Sequence, residues 1–383
     1  MLFGNIIGQE HIKKHLVYSV ESGRVPHAQL FVGPEGCGTL PMAVAYAQYV
    51  LCNNKGGENS GQNETCNAKC NTLSHPDVHF VYPVANSDKV KSHAVSDDFI
   101  SDWREFLTKQ PYGNLFDWYR QVGIEKKQGQ IGVDEAQNIS KKLALKSYEG
   151  GYKVLVIWMA EKMNGSAANK LLKLIEEPPN QTLLLLIAEN EENIINTIRS
   201  RCQVLHFDPI PQALISKELE ARNIEKTLAE QLAHEANGNL NKALDLAQND
   251  SEDLVFEKWF VHWVRSAFKA KGNKSAIHDL ILWSEEVAKN GRETQKNFLK
   301  YCEGIIRQAL LTNYGAHELV YAKMHTDGFD LAKFAPFIHE NNILQLTKEL
   351  ETAHYHIERN GNAKLVFTDL SIKLTRLLHV KAA

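Results

Sequence analysis

The sequence predicts a parallel-sheet α/β module of the phosphate-loop type, followed by a small helical lid and an all-helical domain. Three observations carry this. Leu30-Phe31-Val32 runs straight into the glycine-rich turn Gly33-Pro34-Glu35-Gly36-Cys37-Gly38, and an apolar helical stretch over residues 41–51 follows. Residues 154–157 and 183–187 are short unbroken apolar runs, as expected of strands buried on both faces. The last third keeps helical spacing and has no second glycine-rich loop.

Bulk properties narrow the function classes. At 383 residues the chain is long enough for two or three domains, and 43% hydrophobic with 23% charged residues is ordinary for a globular protein. A formal net charge of -3 gives no global attraction to DNA or an anionic membrane, so any nucleic-acid role is local or passes through a partner. No run of about 18 apolar residues exists, and Met1-Leu2-Phe3-Gly4-Asn5 does not open a signal peptide, which implies a cytoplasmic protein without a membrane partner. Six cysteines do not make a disulfide scaffold in a chain this long; metal binding or burial is the expectation.

Along the chain, residues 1–208 alternate strand-like and helical segments, the pattern of a sheet flanked by helices. Within them, residues 53–64 (NNKGGENSGQNE) and 86–97 are polar and read as loops. Residues 209–250 read as the lid: Pro209 and Pro211 mark a hinge, and Gly238-Asn239 separates two helices. Residues 251–383 form the helical domain. There Ile343, Leu346, Leu350, Ala353 and Ile357 share one face, as do Val366, Leu370, Leu374 and Leu377 after Asn360-Gly361-Asn362.

The loop has lost its chemistry. A working phosphate loop needs backbone N–H groups to cradle phosphate, a lysine for the β- and γ-phosphates, and a Ser/Thr hydroxyl for magnesium. Gly33, Gly36 and Gly38 keep the glycine spacing, but Thr39 stands where the lysine belongs and Leu40 where the hydroxyl belongs. The strand over residues 153–157 should end in an acidic pair, one residue for the metal and one to orient water. Met159 and Ala160 supply neither, and Glu161, one residue on, points to the other face. The expectation is a site that does not hydrolyse, with weak nucleotide binding by the loop backbone left open. The bland alternative is a glycine turn joining strand to helix.

With Ile7-Gly8-Gln9-Glu10, Gly23-Arg24-Val25-Pro26-His27-Ala28, Ala168-Asn169, Leu171-Leu172-Lys173, Glu176-Glu177-Pro178-Pro179 and Ser200-Arg201-Cys202 in view, the chain resembles the AAA+ clamp-loader family, in its delta-prime branch from bacterial DNA polymerase III. The gamma/tau motor subunits and the eukaryotic small subunits are more distant. The resemblance covers the first 250 residues well and the remainder loosely. It implies that Arg201, within Ser200-Arg201-Cys202, is an arginine finger reaching toward a neighbour's γ-phosphate, where a fixed guanidinium stabilises transition-state charge. The plain alternative is a surface arginine paired with an acid; Arg199 is the weaker finger candidate. Working relatives carry a sensor arginine where this chain has Asn241, with Lys242 beside it.

The resemblance also implies a zinc module over residues 52–77. This chain keeps Cys52, Cys66 and Cys70 and then His75-Pro76-Asp77, with the family spacing disturbed and no fourth cysteine. A decayed module of three ordinary thiols is favoured over bound zinc, and no cofactor is expected. Cys37 and Cys302 read as buried, and Cys202 as packed behind the finger. The aromatics Phe99, Trp103, Phe106, Tyr112, Phe116, Trp118 and Tyr119 read as core or partner contact rather than a base-stacking surface, because acids are interleaved with them.

The resulting expectation is a three-part subunit: AAA+-like module, lid and helical collar. It would assemble with gamma/tau motor subunits and a delta subunit, and reach the sliding clamp and primer-template DNA through that complex. The alternatives are an active motor ATPase of the gamma/tau type and a non-replicative scaffold derived from the same fold.

Overall fold

In a computed structural model, which describes residues 1–53, 64–149, 151–248 and 252–381, the apolar runs form five strands. They are β1 (Ala28–Val32), β2 (Val78–Val81), β3 (Lys153–Ile157), β4 (Thr182–Ala188) and β5 (Gln203–His206). The strands lie in the order β2-β3-β4-β1-β5, and every pairing is parallel. All residues of β1, β3 and β4 are buried, which accounts for their unbroken apolar sequence. Lys153 begins β3 and is buried too; its ammonium reaches back to the Leu143 and Leu145 carbonyls, the latter at 2.6 Å.

Helices α1 (Glu10–Glu21), α2 (Thr39–Cys52), α3 (Glu64–Asn71), α4 (Ile100–Lys109), α5 (Leu115–Gln121), α6 (Val133–Ala144), α7 (Gly165–Glu176) and α8 (Asn196–Arg199) surround the sheet. Strand alternation sends Phe31, Val154, Val156 and Leu185 to one core, with Tyr46, Trp103 and Trp118. Leu30, Val32, Leu155 and Leu184 face the other, with Ile139 and Leu171. The aromatic stretch is core: Trp103 is fully buried, stacks on Tyr82 at 4.1 Å between centroids, and meets Trp118 and Trp158 at 5.2 Å each. Of the loop expected over residues 53–64, positions 54–63 lie outside the described residues.

The lid consists of α9 (Gln212–Ala221), α10 (Lys226–Ala236) and α11 (Leu240–Gln248). The chain divides into two compact units, one of residues 1–124 with 128–244 and one of residues 125–127 with 245–383. The lid up to Leu244 therefore goes with the sheet, with no break between compact units at 208/209. The second unit holds α12 (Glu252–Lys269), α13 (Lys274–Ala288), α14 (Arg292–Asn313), α15 (Leu331–Phe334), α16 (Glu340–Glu358) and α17 (Ala363–Leu377). Its core includes Trp263 stacked on Trp283 at 5.1 Å, with the Trp263 indole N–H donating to Ser371 Oγ at 2.8 Å. Leu346, Leu350, Ala353, Ile357, Leu370, Leu374 and Leu377 are buried there, while Ile343 and Val366 are half-buried. Among the described residues no helix is long and apolar enough to cross a membrane.

Candidate functional site

Gly33 follows β1, and α2 begins at Thr39 after Gly36 and Gly38, both in the left-handed region (φ 71° and 99°). The backbone shape of a phosphate loop is retained, but the chain's own side chains occupy it. Asn239 caps the start of α11 by accepting from Lys242 N at 3.0 Å, and its Nδ2 donates to Glu35 Oε1, also at 3.0 Å. Asn114 Nδ2 donates to the same oxygen at 3.1 Å, and Leu240 N donates to the Gly36 carbonyl at 3.3 Å. Asn241 Nδ2 donates to Asp117 Oδ2 at 2.8 Å. Gln9 Nε2 donates to the carbonyls of Cys37 and Asp208, at 3.2 and 2.6 Å. A Cβ on Gly36 would stand 1.9 Å from Asn239 Oδ1, and one on Gly38 3.1 Å from the Tyr112 ring.

What remains of the cleft is a cavity of about 30 Å³, room for roughly one water, whereas small-molecule pockets run to about 300–1,000 Å³. Among the described residues, its lining includes Thr39, Leu40, Met159, Glu35 and Glu189 and no lysine or arginine. A triphosphate would meet carboxylates where a working loop offers cations. Asn241, in the sensor arginine's place, is buried and spent on Asp117.

Past β3, Met159 takes a left-handed conformation and Ala160 opens a short 3-10 turn. Glu161 does not line the cavity; its Oε1 accepts from Glu189 N at 3.0 Å, and its buried Oε2 has no hydrogen-bond partner among the described residues. Burial, reinforced by the Glu189 charge, pushes the Glu161 carboxyl from its ordinary 4.5 up to about 7. Between those values the folded chain keeps a proton that the unfolded chain has released, so stability falls as pH rises through this window and levels off above it. Glu161→Gln should abolish that fall, making the pH 5 to pH 8 change about 3 kcal/mol smaller than in wild type. Urea unfolding of both proteins across that range checks it; parallel curves would refute the assignment.

Arg201 lies far from this loop. The parallel register pairs Gln29 with Gln203, which sets Arg201 level with His27, at the opposite end of β1 from Gly33. Six residue steps from His27 to Gly33 separate the two levels, about 20 Å, beyond the reach of an arginine side chain. β5 is an edge strand, and the Arg201 side chain is exposed. Nη2 pairs with Glu176 Oε1 at 2.8 Å, and Nη1 donates to the Thr197 carbonyl at 3.0 Å. Ser200 is exposed after α8, and burial pushes the half-buried Cys202 thiol up to about 11. Arg199 Nη2 is held by Asn196 Oδ1 at 3.3 Å.

The cysteines of the expected module do meet. The reading as three ordinary thiols is corrected for two of them: Cys52 and Cys66 are joined in a disulfide that spans residues 53–65, and Cys70 Sγ stands 3.7 Å from Cys52 Sγ. The end of α2 and one face of α3 bring them together. The three sulfurs lie within 4.8 Å of one another, so the reduced set fits three of zinc's four ligand positions. His75 accepts from Asp77 N at Nδ1 and faces Glu149 with Nε2, at 3.2 Å each; acting as the fourth ligand through Nε2 would take it from Glu149. Disulfide and metal are mutually exclusive here.

Strand order, loop and lid define an AAA+-type α/β module with a degenerate phosphate loop. The family model described as DNA polymerase III, delta subunit, matches residues 8–211, more than half of the chain, and the chain belongs to that family. It is 28% identical to the DNA polymerase III subunit delta' of Bacillus subtilis, over 63% of this chain and 60% of that protein. It is 27% identical to the delta' subunit of Escherichia coli, over 51% of this chain and 47% of that one. The matches thus span about half to three-fifths of these relatives' own length. It is also 28% identical to the Bacillus subtilis subunit tau, over 64% of this chain and 37% of tau. A solved structure described as a gamma subunit-related protein of Thermotoga maritima aligns at TM-score 0.41 and 15% identity, over 96% of this chain and 99% of that one.

Proposed function

We propose that this chain is a non-hydrolysing subunit of a DNA polymerase III clamp loader that lends Arg201 to a neighbouring ATPase. One observation carries the reading. The chain's own loop is packed against Asn239, which bonds Glu35, while its motif arginine stands exposed on the sheet edge, out of that loop's reach. A loop without its lysine and magnesium hydroxyl, joined to an exposed arginine on the sheet edge, suits a subunit acting in trans. Family membership supports the setting. The partners would be gamma/tau motor subunits and a delta subunit, with sliding clamp and primer-template DNA reached through the complex.

The second unit suits a collar role: it has its own core and carries exposed apolar side chains such as Leu344, Leu365 and Leu282. The active-motor alternative needs a lysine at Thr39 and an open cleft. The test is calorimetry of the isolated protein with Mg-ATP, followed by ATPase of the motor subunits with and without it. The expected results are no micromolar binding and no turnover alone, and raised turnover in the complex. Tight binding by the isolated chain would favour the motor reading; an unchanged motor rate would favour a scaffold.

A further inference from the structure

We propose that Glu176 is the resting counter-ion of Arg201, holding the guanidinium folded against this chain until a neighbour's nucleotide phosphate displaces the carboxylate. The inference rests on Arg201 acting in trans as proposed above, and it gives a role to the Glu176-Glu177-Pro178-Pro179 motif.

The two side chains are brought together by independent devices. α7 ends at Glu176 because the prolines that follow exclude helical backbone before them, and Glu177 is already out of the helix at φ -126°, ψ 69°. His27 donates from Nε2 to the Ile175 carbonyl at 3.0 Å and pins this helix end to the start of β1. On the other side, α8 closes and the Arg201 amide donates to the Ile198 carbonyl at 3.1 Å. Motifs 25 residues apart, with His27 from a third, thus converge at one end of the sheet.

The contact itself is built to be exchanged. A carboxylate at a helix C-terminus opposes the macrodipole, so Glu176 does not serve the stability of α7. The paired side chains are 41% and 45% exposed, and an exposed pair is weak and screened by salt. The Lys296–Glu293 pair in the second unit, with side chains 5% and 7% exposed, is the structural kind by contrast. A phosphate offers the guanidinium more charge and more acceptor oxygens than one carboxylate, so it wins the exchange once a neighbour presents it. No covalent bond changes; one anion replaces another. Glu176 is accordingly a positioning residue.

The experiment uses the full complex reconstituted with its motor subunits and four versions of this chain: wild type, Glu176→Gln, Arg201→Ala and the double variant. ATP turnover is read at limiting ATP and at two salt concentrations. Glu176→Gln should raise the Arg201-dependent part of turnover about two- to fivefold at low salt, with less gain at high salt and unchanged assembly. In the Arg201→Ala background it should have no effect, which a merely structural role would not produce. If Arg201→Ala lowers turnover but Glu176→Gln leaves it unchanged or lowers it, the finger stands and the resting counter-ion is wrong. If Arg201→Ala has no effect, the trans reading and this inference fall together.

Discussion

Arg201→Ala should leave folding and assembly close to wild type while removing most ATP turnover at the adjoining motor site. The folded chain loses one exposed ion pair with Glu176 and one bond to the Thr197 carbonyl; the ion pair is worth about 0–1 kcal/mol. On the proposed role in trans, the adjoining site would lose a guanidinium at developing transition-state charge, worth about 10³–10⁵ in rate in related phosphoryl-transfer systems. In the proposed complex, turnover as a whole should fall by less, because the other sites would keep their own arginines. Arg201→Lys should not rescue, since an ammonium lacks the planar fork. Clamp-stimulated ATPase and clamp loading by the reconstituted complex are the measurements, with co-purification as the assembly control. Wild-type loading by a normally assembled alanine variant would reduce Arg201 to a surface arginine.

Gly36→Ala should destabilise the first unit by about 2–4 kcal/mol. Alanine at φ 71° costs about 1–2 kcal/mol on its own. The new methyl would stand 1.9 Å from Asn239 Oδ1, forcing that side chain off Glu35 and away from its capping bond to Lys242 N, with about 1 kcal/mol lost for each bond broken. Gly23→Ala is the matched control, with φ 69° and nothing within 4 Å of the added carbon, so it should show the backbone cost alone. Adding Asn239→Ala removes the clash, so the double variant should be more stable than the summed single effects imply. Urea unfolding of wild type, Gly36→Ala, Gly23→Ala, Asn239→Ala and the double variant decides it; equal losses at Gly36 and Gly23 would mean that the lid does not press on the loop. None of these variants should gain tight ATP binding, because Thr39 and the carboxylates Glu35 and Glu189 remain.

Much of the fold was legible because burial writes itself into consecutive residues. β3 and β4 are buried on both faces and so read as unbroken apolar runs. The buried faces of α16 and α17 repeat at helical spacing. The residue types at Thr39, Leu40, Met159 and Ala160 are read directly from the sequence, since each concerns the chemistry available at one position in a fixed local frame. The aromatic residues around Trp103 were read as core or partner contact, and they are buried in the core, while Glu105 on α4 is exposed.

Tertiary structure decided what occupies the emptied site. Glu35 and Asn239 are 204 residues apart, and a polar pair at that separation leaves no periodicity to detect. The same holds for Asn241 with Asp117, where an asparagine that looked like a mere loss is a bond between lid and core. Cys66 and Cys70 share a helix face, yet the partner of Cys66 is Cys52 on another helix, a pairing that the expectation of three ordinary thiols did not contain. Whether Arg201 could reach its own loop depended on strand register, which sets the two at opposite ends of β1. The sequence by itself determined which chemical groups are present and which faces must be buried, because hydrophobic burial and backbone geometry act locally. Which polar groups meet was decided only when the sheet closed, because a hydrogen bond is short-ranged and indifferent to separation along the chain.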